Sequence, residues 1–283
     1  MWEELDSVSR SSDAVCLSRN YSPFPFVVFA LAGVGIIVTS IATSPAPQQM
    51  ATPDLWARML TWAVVPLLAA LAVAWLARLA FVLIRATQAV HRLPGAARPP
   101  TRLASALART GIGRVRCVSA SGPIAFCTGA VRPEIVVSDG LAERLDGDEL
   151  DAVLIHEHQH LREREPVIRA AAEVAADVLF FFPIARWWAH RRTEDAELRA
   201  DQAAVRELGP RPVAAALCML DSAMSPEAAF AGIAELRVAQ LLGDPIPVRR
   251  PAAWLIAASL AGFPLMIATV GCVIQIIIRI GGF

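Results

Sequence analysis

Three long apolar runs decide most of what this chain can be. Phe24 to Ala42 is almost uninterrupted, Leu60 to Ile84 is broken by Pro66 and by Arg78 near its end, and Ala252 to Ile278 precedes only Arg279 to Phe283. At a rise of about 1.5 Å per residue each run reaches across a hydrocarbon core about 30 Å thick. Inside lipid the backbone must satisfy its own polar groups, so each is expected as a transmembrane helix. Composition agrees, with 55% hydrophobic residues, 18% charged residues and a mean hydropathy of +0.49, outside the soluble average. The expected class is an integral membrane protein with about three transmembrane helices.

Charge placement orients it. The segment from Arg85 to Arg116 carries seven arginines and no acidic residue, whereas the loop from Thr43 to Met59 carries only Asp54 and Arg58. The positive-inside rule therefore puts the region after Ile84 in the cytoplasm, at the plasma membrane. The segment before Phe24 is 23 residues long and contains Glu3, Glu4, Asp6 and Asp13, which suits a signal anchor better than a cleaved signal peptide. A formal net charge of zero gives no electrostatic reason to expect direct nucleic-acid binding. The five cysteines, Cys16, Cys117, Cys127, Cys218 and Cys272, are scattered and odd in number, as expected of free thiols in a reducing compartment.

The organisation expected is an N-terminal segment, 1–85, with spans at about 24–42 and 60–84, a domain at 86–251, and a C-terminal span within 252–283. The middle domain reads as α+β and mostly helical. Thr101 to Thr110 is expected as a helix ended by Gly111 to Gly113. Arg114 to Ala120, Ile124 to Thr128 and Glu134 to Ser138 are short runs bounded by Gly, Pro and Asp, and are expected as strands. In LDGDELDAVLIHEHQHL, Asp146 and Glu149 have the spacing of a capping box, and Leu150, Val153, Leu154 and Leu161 give an apolar face.

That helix holds three of the five histidines. His156 and His160, at i and i+4, share a face, while His158 points away and reads as solvent-facing. Two neutral imidazoles one turn apart suit a zinc ion, and Glu157 beside them can take a proton from water. A catalytic zinc needs a third protein ligand. TEDAELRADQAAV supplies Glu197 and Asp201, again at i and i+4, and Asp201 can accept the free ring N–H of His156. Glu194 lies on the same face as Glu197, and spacing does not choose between them.

Three stretches, GPIAFCTGAVRPEIVVSDGL, ELDAVLIHEHQHLRERE and FFFPIARWWAHRRTEDAELRADQAAV, together resemble the membrane-embedded gluzincin peptidases of the BlaR/MecR antibiotic-sensor family over about Gly122 to Leu208. The resemblance implies a gluzincin-like zinc metallopeptidase domain facing the cytoplasm, with His156, His160 and Glu197 as metal ligands, Glu157 as catalytic base and Asp201 as companion of the ligands. It also implies a protein substrate or partner, a cytoplasmic transcriptional repressor in a signalling pathway. HtpX-type quality-control proteases share the HExxH and ExxxD logic, but the Phe182 to Trp187 run looks closer to the sensor family. Since five residues follow the third run, the expectation is a protein without the sensors' extracellular penicillin-binding domain. A zinc-containing adaptor without proteolytic activity is the reading from another class.

Two expectations concern the surroundings of the site. Glu134, Ile135, Val136, Val137 and Ser138 are the candidate edge strand for an extended substrate. Pro166 to Trp188 is apolar, but Arg169, Glu173 and Asp177 recur every four residues, and a single crossing would separate His160 from Glu197. It is therefore expected as an amphipathic, membrane-apposed helix. The donor for the oxyanion is open: Tyr21 lies on the far side of a span, His190 and Arg237 remain, and neither is assigned. Cys127 is expected as an inert core residue rather than a redox switch.

Overall fold

A computed structural model describes residues 53–96, 98–223 and 228–281. The expected span at 24–42 lies outside the described residues. Nine helices and three strands are assigned among them: α1 (Pro53–His91), α2 (Thr101–Thr110), β1 (Val115–Val118), β2 (Ala125–Thr128), β3 (Glu134–Ser138), α3 (Asp139–Arg144), α4 (Gly147–Arg162), α5 (Glu165–Val178), α6 (Ile184–Leu208), α7 (Pro210–Ala223), α8 (Ala228–Leu242) and α9 (Ala253–Gly281). They form two compact units. One contains Ala80–Ala171 and His190–Val248, the other 53–79, Ala172–Ala189 and 249–281, so the boundary falls inside α1, α5 and α6.

In the first unit the core joins Leu103 and Ala106 of α2, Ile135 and Val137 of β3, Leu141 of α3, Leu150, Val153 and Leu154 of α4, and Val213 and Ala216 of α7. α4 is the central element, and its start follows the sequence closely. The Asp146 carboxylate accepts from the Glu149 amide at 2.9 Å while the Glu149 carboxylate accepts from the Asp146 amide at 3.0 Å. Arg109 of α2 grips Asp151 of α4 with two hydrogen bonds, 2.8 and 2.9 Å long.

The sheet order is β1-β3-β2, with β1 parallel to β3 and β2 antiparallel to it. This corrects the expectation for residues 134–138. Glu134, Ile135, Val136, Val137 and Ser138 form the middle strand, and their backbone groups are shared with neighbours on both sides. Burial on both faces explains the apolar run, with Ile135 and Val137 turned to the main core and Val136 to a smaller cluster with Val90 and Val118. The outer side of β1 is partly covered, since the Ala96 amide donates to the Cys117 carbonyl at 3.0 Å and the Ser119 amide to the Pro94 carbonyl at 2.9 Å. Among the described residues, β2 pairs only with β3.

The stretch expected as one amphipathic helix is two. α5 ends at Val178, α6 begins at Ile184, and Pro183 stands where the residue before a proline is driven out of helical geometry. In the second unit Ala172 and Ala176 of α5 pack with Ala185 and Ala189 of α6. Helices α1 and α9 contain the windows Leu71–His91 and Ala253–Cys272, long and apolar enough to cross a membrane. Only 6% of the first window and 17% of the second is buried, which distinguishes both from the core helices of a soluble protein.

Gly140 sits where the chain passes closest to itself. A Cβ there would lie 2.4 Å from the backbone oxygen of Ser121, whereas one at Gly113 would meet nothing within 4 Å. Gly140→Ala should therefore cost about 1–3 kcal/mol of stability, as overpacking does, while Gly113→Ala leaves it nearly unchanged. Unfolding midpoints of the two variants in detergent check this, and equal midpoints would refute it.

Candidate metal centre

Helix α4 places His156 and His160 one turn apart, with ring centroids 4.8 Å apart and Nε2 atoms facing each other at 3.1 Å. Helix α6 brings Glu197 to them. Its Oε2 lies 3.4 Å from His156 Nε2 and its Oε1 lies 3.8 Å from His160 Nε2. One ligand atom from each of the three falls within 4.8 Å of the others. A tetrahedral ion with bonds of about 2.0–2.2 Å separates its ligand atoms by about 3.3–3.6 Å, so the three donors fit zinc with small adjustments. Glu194, equivalent to Glu197 by spacing, instead meets His190 at 3.5 Å and Arg191 at 3.0 Å.

Asp201 is fully buried, and its Oδ1 is 2.9 Å from His156 Nδ1. A proton on Nδ1 shared with Asp201 leaves the Nε2 lone pair aimed at the gap between the ligands. Arg237 of α8 holds Asp201 in turn, Nε to Oδ2 at 2.6 Å and Nη2 to Oδ1 at 2.7 Å. Arg169 of α5 donates to Glu197 Oε1 at 2.9 Å. Sequence reasoning missed both pairings. Arg169 showed only as one member of a polar stripe, and Arg237, considered as an oxyanion donor, is committed to Asp201.

The carboxylates and imidazoles of the cluster are strongly coupled. Burial would lower the basicity of His156, but hydrogen bonds to Asp201 and Glu197 outweigh it and lift the imidazole to about 9. Burial also opposes the charge on Glu197, yet the two histidines hold it well below its usual value. Asp201 is likewise held low against burial by His156 and Arg237. Carboxylates that stay ionised in a nearly dry place, around two imidazole nitrogens, are a donor set suited to a divalent metal.

Other residues have plainer surroundings. Glu157 is buried on the turn that carries His156, and its charge, after burial, helps push the Cys127 thiol up to about 12. A thiol so disfavoured as thiolate is a poor nucleophile and a poor redox switch. His158 does point away from the pair, but it is half-buried rather than solvent-facing, and its Nδ1 is buried without a hydrogen-bond partner among the described residues. Arg199 of α6 clasps Glu163 at the end of α4 with contacts of 2.8 and 3.0 Å, which ties the two metal-site helices together.

Two histidines one turn apart and a glutamate from a second helix, backed by a buried aspartate, define a metallopeptidase type of centre. The chain belongs to the family described as BlaR1 peptidase M56, whose model matches residues 27–230. It is also similar to a protein named Protease HtpX homolog from Pyrococcus furiosus, with 33% identity over 120 residues, 40% of this chain and 41% of that protein. The chain thus spans less than half the length of that relative. No solved structure matches it significantly.

Purified protein should hold about one zinc per chain. His160→Ala and Glu197→Gln should each lower that content sharply, whereas Glu194→Gln and His158→Ala leave it intact. Metal analysis after dialysis decides the matter: full zinc in Glu197→Gln would remove it from the ligand set.

Proposed function

We propose that this protein is a membrane-bound zinc endopeptidase whose catalytic site faces the cytoplasm. The observation that carries the proposal is the meeting of His156, His160 and Glu197 from two helices, with the buried carboxylate of Glu157 on the same turn as His156. Family membership and the similarity to a relative named as a protease support it. The arginine bias of residues 85–116 supports the orientation.

Bound zinc would supply a Lewis acid, polarising the scissile carbonyl and making water acidic enough to lose a proton near neutral pH. The roles of the chain's own residues follow. Glu157 accepts a proton from the attacking water, whose oxygen bonds to the acyl carbon as the C–N bond breaks, and then delivers that proton to the leaving amine. His156 is kept in register by Asp201, and Asp201 by Arg237. With β3 in the middle of the sheet, the outer edge of β2, unpaired among the described residues, is the candidate edge for an extended substrate. β2 packs against α4, the helix that carries Glu157, so a peptide added along that edge would run alongside the motif helix.

The substrate class that fits is a polypeptide at the cytoplasmic or membrane face. A transcriptional repressor is the specific substrate suggested by the resemblance to the BlaR/MecR sensors, and membrane-protein quality control is the alternative suggested by the HtpX-type likeness. An adaptor would need the ligands but not a buried base. Glu157→Gln should therefore keep about one zinc per chain while peptide hydrolysis falls by roughly 10²–10⁴-fold. Cells carrying that variant should accumulate uncleaved substrates visible by comparative proteomics. No peptide hydrolysis by the zinc-loaded wild type, with a proteome that Glu157→Gln leaves unchanged, would favour the adaptor, and hydrolysis undiminished in Glu157→Gln would remove Glu157 as the base.

A further inference from the structure

The segment between Ala172 and Ala189 has polar partners of an unusual kind. Asp177 of α5 accepts from Arg78 of α1 at 2.7 Å and is also bonded by Arg186 of α6. Arg78 belongs to the apolar window Leu71–His91. The first backbone amide of α6, at Ile184, donates to Ser259 Oγ at 3.0 Å, and Ser259 lies six residues inside the apolar helix α9. That hydroxyl is buried and itself donates to the Leu255 carbonyl at 2.7 Å, so both its roles are filled. A helix start in water has its free amides solvated. Here a side chain from an apolar helix takes over, as irregular backbone at membrane depth requires.

Helix rise gives the depth. From the Ile184 to Ser259 contact, α6 climbs about 6 Å to Trp188 and α9 spans about 7.5 Å back to Trp254, at about 1.5 Å per residue. Both tryptophans are exposed, 54% and 53%. Each stands between that contact and a pair of arginines, Arg191 and Arg192 after Trp188, Arg249 and Arg250 before Trp254. Along α1, Arg85 follows Arg78 by about 10.5 Å, and Arg191 follows Ile184 by the same rise. Tryptophan and then arginine is the sequence of side chains met on passing from hydrocarbon to headgroups. The turn itself is Leu179-Phe180-Phe181-Phe182-Pro183, with Phe180 39% exposed.

We propose that Ala172–Ala189 is a re-entrant membrane element. α5 carries the chain into the bilayer, residues 179–183 turn it among acyl chains at roughly half the depth of one leaflet's hydrocarbon, and α6 brings it out on the side it entered. Alanines on the facing sides let the two helices approach closely, and the ion pairs with Arg78 and Arg186 compensate the Asp177 carboxylate carried to that depth. The polar partners from α1 and α9 distinguish this arrangement from an amphipathic pair lying on the membrane surface.

Full-length protein in vesicles of phosphatidylethanolamine and phosphatidylglycerol tests it. Single cysteines in a cysteine-free background at Phe180, Trp188, His190 and Leu260 would be spin-labelled, and their accessibility to oxygen and to a water-soluble nickel chelate compared. The ratio of oxygen to nickel accessibility at Phe180 should match that at Leu260 and exceed that at His190 several-fold, with Trp188 between. Leu179→Cys gives a second reading of the same depth. Cysteines at Glu163 and His190 should react with a membrane-impermeant thiol reagent from the same side. Nickel accessibility at Phe180 equal to that at His190 would mean that the hairpin lies on the surface, and reaction of Glu163 and His190 from opposite sides would mean that it crosses; either result overturns the proposal.

Discussion

Two carboxylates, Asp201 fully buried and Glu197 mostly so, must stay ionised, and the arrangement of the candidate metal centre depends on how that is achieved. Glu197 and Asp201 sit on one face of α6, and burial favours their neutral forms. Each is answered by a guanidinium from a different helix, Arg169 from α5 and Arg237 from α8. Removing one partner of a buried pair typically costs about 3–5 kcal/mol, because the other charge is left alone. The positions of α5 and α8 are therefore tied to the site as firmly as the helix that carries the histidines.

The same requirement links the centre to the chain reversal. Arg169 and Glu197 can meet only if the chain between them turns back, and Glu165 and Arg192, 3.7 Å apart, mark the same return four residues nearer the start of α5. The reversal has a local cause in Pro183 and its aromatic neighbours. Between the turn and the ligands, α6 changes character without a break: Ile184 to Trp188 is largely apolar, while His190 to Asp201 carries most of the charge.

What could be read in the sequence was local. The capping box at Asp146 and the i and i+4 spacing of the histidines follow from helix geometry over a few residues, while the pairing of Asp201 with His156 rests on the usual partner of a metal-binding imidazole and on the resemblance to the BlaR/MecR sensors. What could not be read depended on distant partners. β3 looked like an edge because it precedes the motif helix, but its place is set by a parallel pairing with β1 that no local pattern announces. Arg237 is 36 residues from Asp201. Arg169, Glu173 and Asp177 look like one stripe, yet Arg169 answers Glu197 and Asp177 answers Arg78 and Arg186. Periodicity identified the face, not the partners.

All the cationic side chains are arginines, and at two places the structure gives that choice a geometric meaning. Arg237 uses Nε and Nη2 on the two oxygens of Asp201, a planar fork that a lysine does not have. Fixing both oxygens fixes the carboxylate plane. Asp201 Oδ1 then serves Arg237 and His156 at once, so the direction of the His156 lone pair is set through two short contacts in series. Arg169 acts on the opposite flank, taking one oxygen of Glu197 and leaving the other 3.4 Å from His156 Nε2. The candidate ligands on α4 and α6 are thus aimed by residues on α5 and α8, and the geometry of the cluster is a property of four helices rather than of the HExxH segment alone.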